Sequence, residues 1–343
     1  MGKTILFYAA VKDVSLFKTQ MFYENTRETL ENLGLTVIMT NRISDALNLK
    51  YDGILCFFFK KGVVPAFFAK LRGKKVFFTG GLDDLEKSIV SKKRYYAQVV
   101  TFKLCLLIAD YCLIESSTDL DNINKISLIK NHNNLYYSPQ AIDVSKYNCN
   151  LSDKQNIIST ICWQGNITNC KRKGVDKAIL LFKEIKKDEV FQDYKFYIMG
   201  RQGDGTPYIK KLISDNELED SVVLTGEVSE EMKINYLKQS KFFFQLSQYE
   251  GFGLAALEAA AAKCIPIHSA RGGLHDTLSS DGLVVDIEHE RFNENVISTY
   301  IEKLKSIKTD DVIKMHHRIE LAFDTSVRLD NFRNTIGYSL NIV

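Results

Sequence analysis

The chain contains no apolar run approaching the roughly eighteen residues that a membrane-crossing helix needs. Its start, MGKTILFYAAVKD, reads as a short apolar strand and has no long hydrophobic region of a secretory leader. There is no CxxC pair, and the seven cysteines are scattered and odd in number, which argues against a disulfide framework or a structural zinc site. They read as small buried apolar side chains in a cytoplasmic protein. No trio of His and carboxylates has metal-site spacing, so no metal and no bound cofactor are expected. No long low-complexity tract and no recognised nucleic-acid module is present. A lysine signature for pyridoxal phosphate, which a phosphorylase would need, is also missing.

What remains is an ordinary globular composition, 45% apolar and 25% charged over 343 residues, long enough for two domains. Net charge is +3 but uneven: residues 1–150 hold 20 Lys and Arg against 14 Asp and Glu, whereas the remainder holds 25 against 28. The first half therefore presents the basic surface, and an anionic partner is expected there.

Apolar strand patterns alternate with helical ones in both halves, which predicts parallel α/β sheets. In the first half strands are expected at 4–10, 35–40, 53–59, 75–79, 111–115 and 126–129. In the second they are expected at 157–163, 196–199, 222–224, 242–246, 265–268 and 282–285. The polar stretch YNCNLSDKQN near 145–156 suggests the boundary, giving domains 1–150 and 151–320. Residues 291–337 read as helices.

The most informative stretch is YEGFGLAALEAAAAKCIPIHSARGG, framed by Glu250 and Glu258. The turn Gly251-Phe252-Gly253 runs into an alanine-rich helix, whose first N–H groups have no intrahelical partner and suit phosphate. The glutamates do not favour phosphate by charge. Ionised carboxylates accept hydrogen bonds only, which suits hydroxyls. Phosphate together with hydroxyls is the chemistry of a nucleotide sugar. Cys170-Lys171-Arg172-Lys173-Gly174 brings positive charge just ahead of another predicted helix, and Gly200-Arg201-Gln202-Gly203 follows a predicted strand.

Glu-x7-Glu within EGFGLAALEA, continued through Ala259 and Pro266 to Gly272-Gly273, resembles the donor-site motif of retaining glycosyltransferases of the GT-B fold, family 4 type (glycosyl transferases group 1). The resemblance implies an α/β GT-B architecture, two Rossmann-like domains facing a central cleft, with a last helix over 321–343 crossing back to the first domain. It implies a metal-independent enzyme that moves a sugar from a nucleotide sugar to a hydroxyl of a glycan or lipid-linked acceptor, in envelope polysaccharide or glycolipid synthesis. By the same resemblance Glu250 reaches the transferred sugar, Glu258 the ribose, and Lys173 the diphosphate, with Glu250 and Lys173 as the catalytic pair. Asn166, Arg172, Gly200, Gly203, Val228, Gly251, Phe252, Gly253 and Leu254 complete the donor side. Asn166 stands where the family has arginine, and the family's glycine loop after the first strand is replaced by Ala9-Ala10-Val11-Lys12-Asp13. Asp276 stands where glutamate is usual; it is expected to meet the lysine or to cap the next helix.

On the acceptor side Gly81, Asp83 and His132 are the candidates. The donor base is open, with a UDP-sugar slightly favoured. Basic and aromatic residues around 57–75 and 92–104 suit either an anionic membrane surface or a buried helix face with a solvated rim. A cytoplasmic protein peripheral to the inner face of the cell membrane is expected, without nucleic acid as a partner. A non-catalytic nucleotide-sugar or glycan-binding protein on the same scaffold is the second reading.

Overall fold

The computed structural model describes residues 2–129, 132–288 and 294–342. It divides into two compact units, Met1–Ile142 with Phe323–Val343, and Asp143–Ala322.

The first unit is a parallel six-stranded sheet in the order β2-β1-β3-β4-β5-β6. The strands are β1 (Thr4–Ala9), β2 (Thr36–Thr40), β3 (Gly53–Phe57), β4 (Lys75–Gly80), β5 (Tyr111–Ile114) and β6 (Leu135–Tyr137). β3 is buried along its whole length, as expected where helices cover both faces of a parallel sheet. β1 shows how the alternation of strand side chains divides the core. Leu6 and Tyr8 enter one cluster, with residues of the helices Phe59–Leu71 and Lys92–Ile108. Ile5, Phe7 and Ala9 enter the other, where Phe332, Ile336 and Leu340 from the end of the chain also pack. A backbone bridge pairs Ile142 with Asp324, so the returning segment is tied down where it arrives.

Residues Ile126–Ile129 do not form the expected strand. Ser127–Ile129 is a single 3-10 turn, and the edge strand is β6. Ile126 and Ile129 are both buried in the same cluster. A strand would send residues three apart to opposite faces, whereas a helical turn keeps them on one side.

The second unit is also a parallel six-stranded sheet, ordered β12-β11-β10-β7-β8-β9. Its strands are β7 (Gln155–Ile161), β8 (Lys195–Met199), β9 (Val222–Gly226), β10 (Ser240–Gln245), β11 (Ile265–His268) and β12 (Leu283–Val284). Chain order reverses between β7 and β10, and their carboxyl ends therefore flank the switch point at which open α/β sheets bind ligands. Of the helical stretch expected over 291–337, residues 291–293 lie outside the described residues. Glu294–Ser306, Thr309–Phe323 and Thr325–Phe332 are helices. Two parallel six-stranded sheets with flanking helices are the α/β architecture that the GT-B expectation calls for.

Candidate active site

The two segments singled out in the second half of the sequence meet at the β7–β10 switch point. After β7 the chain makes the short helix Ile167–Arg172, then Lys173 and Gly174, before the helix Val175–Ile185. Gly174 has φ 67°, and a Cβ there would lie 1.9 Å from the Leu246 carbonyl oxygen. Only glycine lets this turn approach the end of β10 so closely. Gly174→Ala is expected to cost more than about 3 kcal/mol, seen as a lowered urea midpoint with unchanged slope; wild-type stability would show that the contact relaxes freely.

That approach puts Lys173 against Glu250. Lys173 Nζ donates to Glu250 Oε1 at 2.7 Å and to Oε2 at 2.9 Å. Oε1 also accepts from Ser247 Oγ at 2.6 Å and from Gln245 Nε2 at 2.9 Å. Glu250 is only 7% exposed. Burial alone raises its pKa, but the Lys173 charge and the hydrogen bonds from Lys173 and Ser247 outweigh this and hold the carboxyl below its ordinary value. The Glu250 main chain is fixed as well. It pairs with Gly272, and Gly273 N donates to its carbonyl at 2.7 Å. The Gly-Gly end of the sequence motif thus acts as a clamp on the Glu end.

Gly253 has φ 92° and caps the helix Leu254–Ala261. A Cβ there would fall 2.6 Å from Leu274 Cδ2. Phe252 is buried, and Gly251 and Leu254 are half-buried. Glu258, one turn further on, is 2% exposed. Lys233 Nζ, on the helix Glu230–Gln239, donates to its Oε1 at 2.8 Å, and the buried Tyr147 is close enough for each group to shift the other's titration. Burial pushes the Glu258 carboxyl up, and Lys233 pulls it part of the way back. Burial likewise pushes the Tyr147 phenol far up, with Glu258 adding to the effect.

The remaining donor-side residues lie on the loops at the carboxyl ends of β7, β8 and β9. Asn166 is exposed, and its Oδ1 accepts from Asn169 N at 2.8 Å, so it caps the helix Ile167–Arg172. Arg172 is exposed at the end of that helix and donates to Asn169 Oδ1 at 3.0 Å. Gly200 follows β8, and Gly203 N donates to Thr206 Oγ1 at 2.9 Å. Val228 is half-buried just past β9. Asp276 lies inside the helix Leu274–Leu278, whose cap position is Gly273. The capping role expected of Asp276 is therefore corrected in position: it is not the cap residue but an acid in the first turn, where its charge suits the helix start.

In the first unit, Gly81 directly follows β4 and Asp83 opens the 3-10 turn Asp83–Leu85, both at the carboxyl edge. His132 lies three residues before β6, and its neighbour Asn134 accepts from Cys112 N near the start of β5. In a parallel sheet that is the amino edge, so the structure does not bring His132 together with Gly81 and Asp83.

Sequence reasoning missed Ser247, Gln245, Lys233 and Tyr147. Ser247 sits three residues before Glu250, so proximity could have suggested it. Lys233 and Tyr147 carry no motif signal. Among the described residues no group of three or more His, Cys, Asp or Glu is placed to hold a metal ion.

Residues 168–319 match the family described as Glycosyl transferases group 1. A GDP-mannose:cellobiosyl-diphosphopolyprenol alpha-mannosyltransferase of Xanthomonas oryzae pv. oryzae is 35% identical over 96 residues, 28% of this chain and 24% of that protein. The O-antigen chain mannosyltransferase RfbU of Salmonella typhimurium is 29% identical over 155 residues, 45% of this chain and 41% of that protein. The matched stretches thus span between about a quarter and two fifths of these curated relatives. Among solved structures, Anabaena Alr3699/HepE in complex with UDP and glucose superposes with TM-score 0.71 at 14% identity, covering 98% of this chain and all of that one. Sucrose-phosphate synthase from Thermosynechococcus elongatus gives TM-score 0.75 at 14% identity, covering 99% and 100%.

Proposed function

We propose that this chain, whose residues 168–319 match the glycosyl transferases group 1, transfers a sugar from a nucleotide sugar to a hydroxyl of a glycan or lipid-linked saccharide, with retention at the anomeric carbon. The observation that carries the reading is the pairing of half-buried Lys173 with buried Glu250 at the switch point of the second sheet. It supplies one cation for a leaving diphosphate and one carboxylate for sugar hydroxyls, side by side. Alongside it, the first N–H groups of the helix Leu254–Ala261 add a site for phosphate oxygens.

In this reading Lys173, Arg172 and those backbone donors stabilise the charge that develops on the leaving phosphate, and no divalent ion is required for that task. The acceptor hydroxyl attacks from the face the diphosphate leaves, and a phosphate oxygen takes its proton. Glu250 orients the sugar rather than forming a bond to it. Glu258 accepts from the ribose hydroxyls, with Lys233 holding its carboxylate in place. Gly81 and Asp83 are the acceptor-side candidates. The curated relatives named as mannosyltransferases support a mannosyl donor, so GDP-mannose stands beside the UDP-sugars as first choice. One of them is named for a diphosphopolyprenol acceptor, which supports a lipid-linked acceptor and a peripheral place at the inner membrane face.

The test is binding and slow hydrolysis across GDP-, UDP- and ADP-sugars, with and without a chelator. One tight donor, hydrolysed equally in both conditions, is the expected result. Binding without turnover even when lipid-linked acceptors are supplied would favour the non-catalytic reading, which the unusual Asn166 keeps in view. Glu258→Gln is expected to weaken that donor's binding about tenfold or more, since a hydrogen bond to a charged group contributes about 1.5–3 kcal/mol. Unchanged affinity in a folded variant would remove Glu258 from the ribose site.

A further inference from the structure

Two neighbouring helices of the first unit bury one side and present apolar side chains on the other. Phe59–Leu71 buries Phe59, Ala66 and Ala69, and Lys92–Ile108 buries Val99, Phe102 and Cys105. All six belong to one core on one face of the sheet, and the helices pack against each other. Their outer sides therefore look in the same direction. On the first helix Val64, Phe67 and Leu71 are 47%, 48% and 69% exposed. On the second Tyr96, Val100, Leu104 and Leu107 are 63%, 59%, 47% and 65% exposed. Spacings of three, four, seven and eight keep each set in one stripe along its helix. The sequence had left a membrane face and a buried face open for this region, and the structure separates them. Phe57, Phe59, Tyr95, Val99 and Phe102 are core, whereas Val64, Phe67, Tyr96, Val100 and Leu104 belong to the outer stripe.

The two helices themselves carry charge of one sign. Neither helix contains Asp or Glu, and together they carry Lys60, Lys61, Lys70, Lys92, Lys93, Arg94 and Lys103. Arg94 pairs with Asp84, and Lys70 with Asp110. Lys60, Lys61, Lys92 and Lys93 occupy the first turns of their helices, where the helix dipole disfavours cations. Local helix energetics thus work against these lysines, and an external anionic surface would offset that cost. A second copy of the chain fits poorly, because a two-fold interface would bring the same basic rim against itself.

We propose that the outer face of Phe59–Leu71 and Lys92–Ile108 docks on an anionic lipid bilayer. The apolar stripe enters the boundary between headgroups and acyl chains, and the lysines extend to the phosphates. No helix among the described residues is long and apolar enough to cross a membrane, so this contact is peripheral. The proposal deepens the lipid-linked acceptor reading and rests on it for its purpose, while docking itself requires no transfer.

The experiment is co-sedimentation of the full chain with vesicles of phosphatidylcholine alone and of phosphatidylcholine with phosphatidylglycerol. Light scattering reads the oligomeric state, and donor binding in solution serves as the control for fold and site. Binding is expected only to the anionic vesicles and is expected to weaken with salt. Changing Lys60, Lys61, Lys92 and Lys93 to Gln should weaken it on the order of a thousandfold. Changing Val64, Phe67, Val100 and Leu104 to Ser should abolish it, with donor binding unchanged in both variants. No binding by the wild type, or equal binding by the wild type and both variants, would overturn the proposal. So would a dimer that the Ser variant splits while vesicles stay unbound, since the occupant would then be a second copy. Vesicle binding as expected without any donor binding would retire the transferase reading and leave the docking surface standing.

Discussion

Lys173→Met is expected to slow sugar transfer by about a hundred- to a thousandfold, the usual loss for an electrostatic stabiliser of developing charge. It is also expected to destabilise the second unit by about 3 kcal/mol, because it leaves a buried carboxylate without its counter-charge. The second effect has a pH signature. In the wild type the Glu250 carboxyl lies below its ordinary value: burial raises it, but Lys173 and the hydrogen bonds from Lys173 and Ser247 lower it by more. A depressed carboxyl adds stability above the unfolded carboxylate range, and that stability is lost as pH falls through the folded value. Without Lys173, burial dominates and the folded value rises above the unfolded one. The native state then holds the proton more tightly than the unfolded chain, so the variant's deficit is small in acid and grows as pH rises through the new value. Urea unfolding at pH 5 and pH 8 measures this. Glu250→Gln in the Lys173→Met background should recover most of the stability and flatten the pH dependence without restoring transfer. A deficit that is equal at both pH values, or that survives Glu250→Gln, would place its origin elsewhere.

Arg328→Met should cost about 3–5 kcal/mol, and the loss should appear first as release of the end of the chain from the first sheet. Arg328 lies on the helix Thr325–Phe332 and is 1% exposed. It donates to Gln140 Oε1 and, at 3.2 Å, to Thr26 Oγ1, and it stacks over the Phe332 ring at 5.1 Å. Gln140 in turn donates to Glu115, which is 5% exposed and also accepts from Thr79 Oγ1 at 3.4 Å. Burial pulls the guanidinium down to about 10, with Glu115 opposing it, and burial raises Glu115. Methionine keeps much of the volume but leaves Glu115 buried without a cation. Faster proteolysis within 323–342 and earlier amide exchange there are the readouts. Glu115→Gln should recover part of the loss, because replacing both ends of a buried pair is far less costly than removing one. Full stability of the single variant would show that the network is not what holds the segment.

The parts of the site legible in the sequence are those the chain makes locally. The Gly253 turn, the Leu254–Ala261 helix start and the Lys173-Gly174 turn each depend on residues within a few positions of one another. Their residue types carry the reason, namely positive φ or a charge beside a helix, whereas what each glycine approaches, Leu246 for Gly174 and Leu274 for Gly253, is set by the fold. Alternating strand and helix patterns likewise led to the α/β class, because burial on both faces leaves near-continuous apolar runs such as Gly53–Phe57. Where the chain folds back over long separations, the pattern had nothing to show. Lys233 and Glu258 are 25 residues apart, and Arg328 and Gln140 are 188 apart.

By itself the sequence determined two parallel α/β sheets, the glycine turns that shape the donor-side loops, and an acidic and a basic segment suited to a nucleotide sugar. Only the tertiary structure decided which polar groups meet: Lys173 with Glu250, Lys233 with Glu258, and Arg328 with Gln140 and, through it, Glu115. It also decided that His132 sits at the amino edge of its sheet, and that the outer stripe around Val64 and Val100 is surface while Phe59 and Phe102 are core. The physical reason is the range of the forces involved. Backbone conformation and helix starts respond to neighbours in sequence, whereas burial and ion pairing depend on which elements the sheet order places side by side.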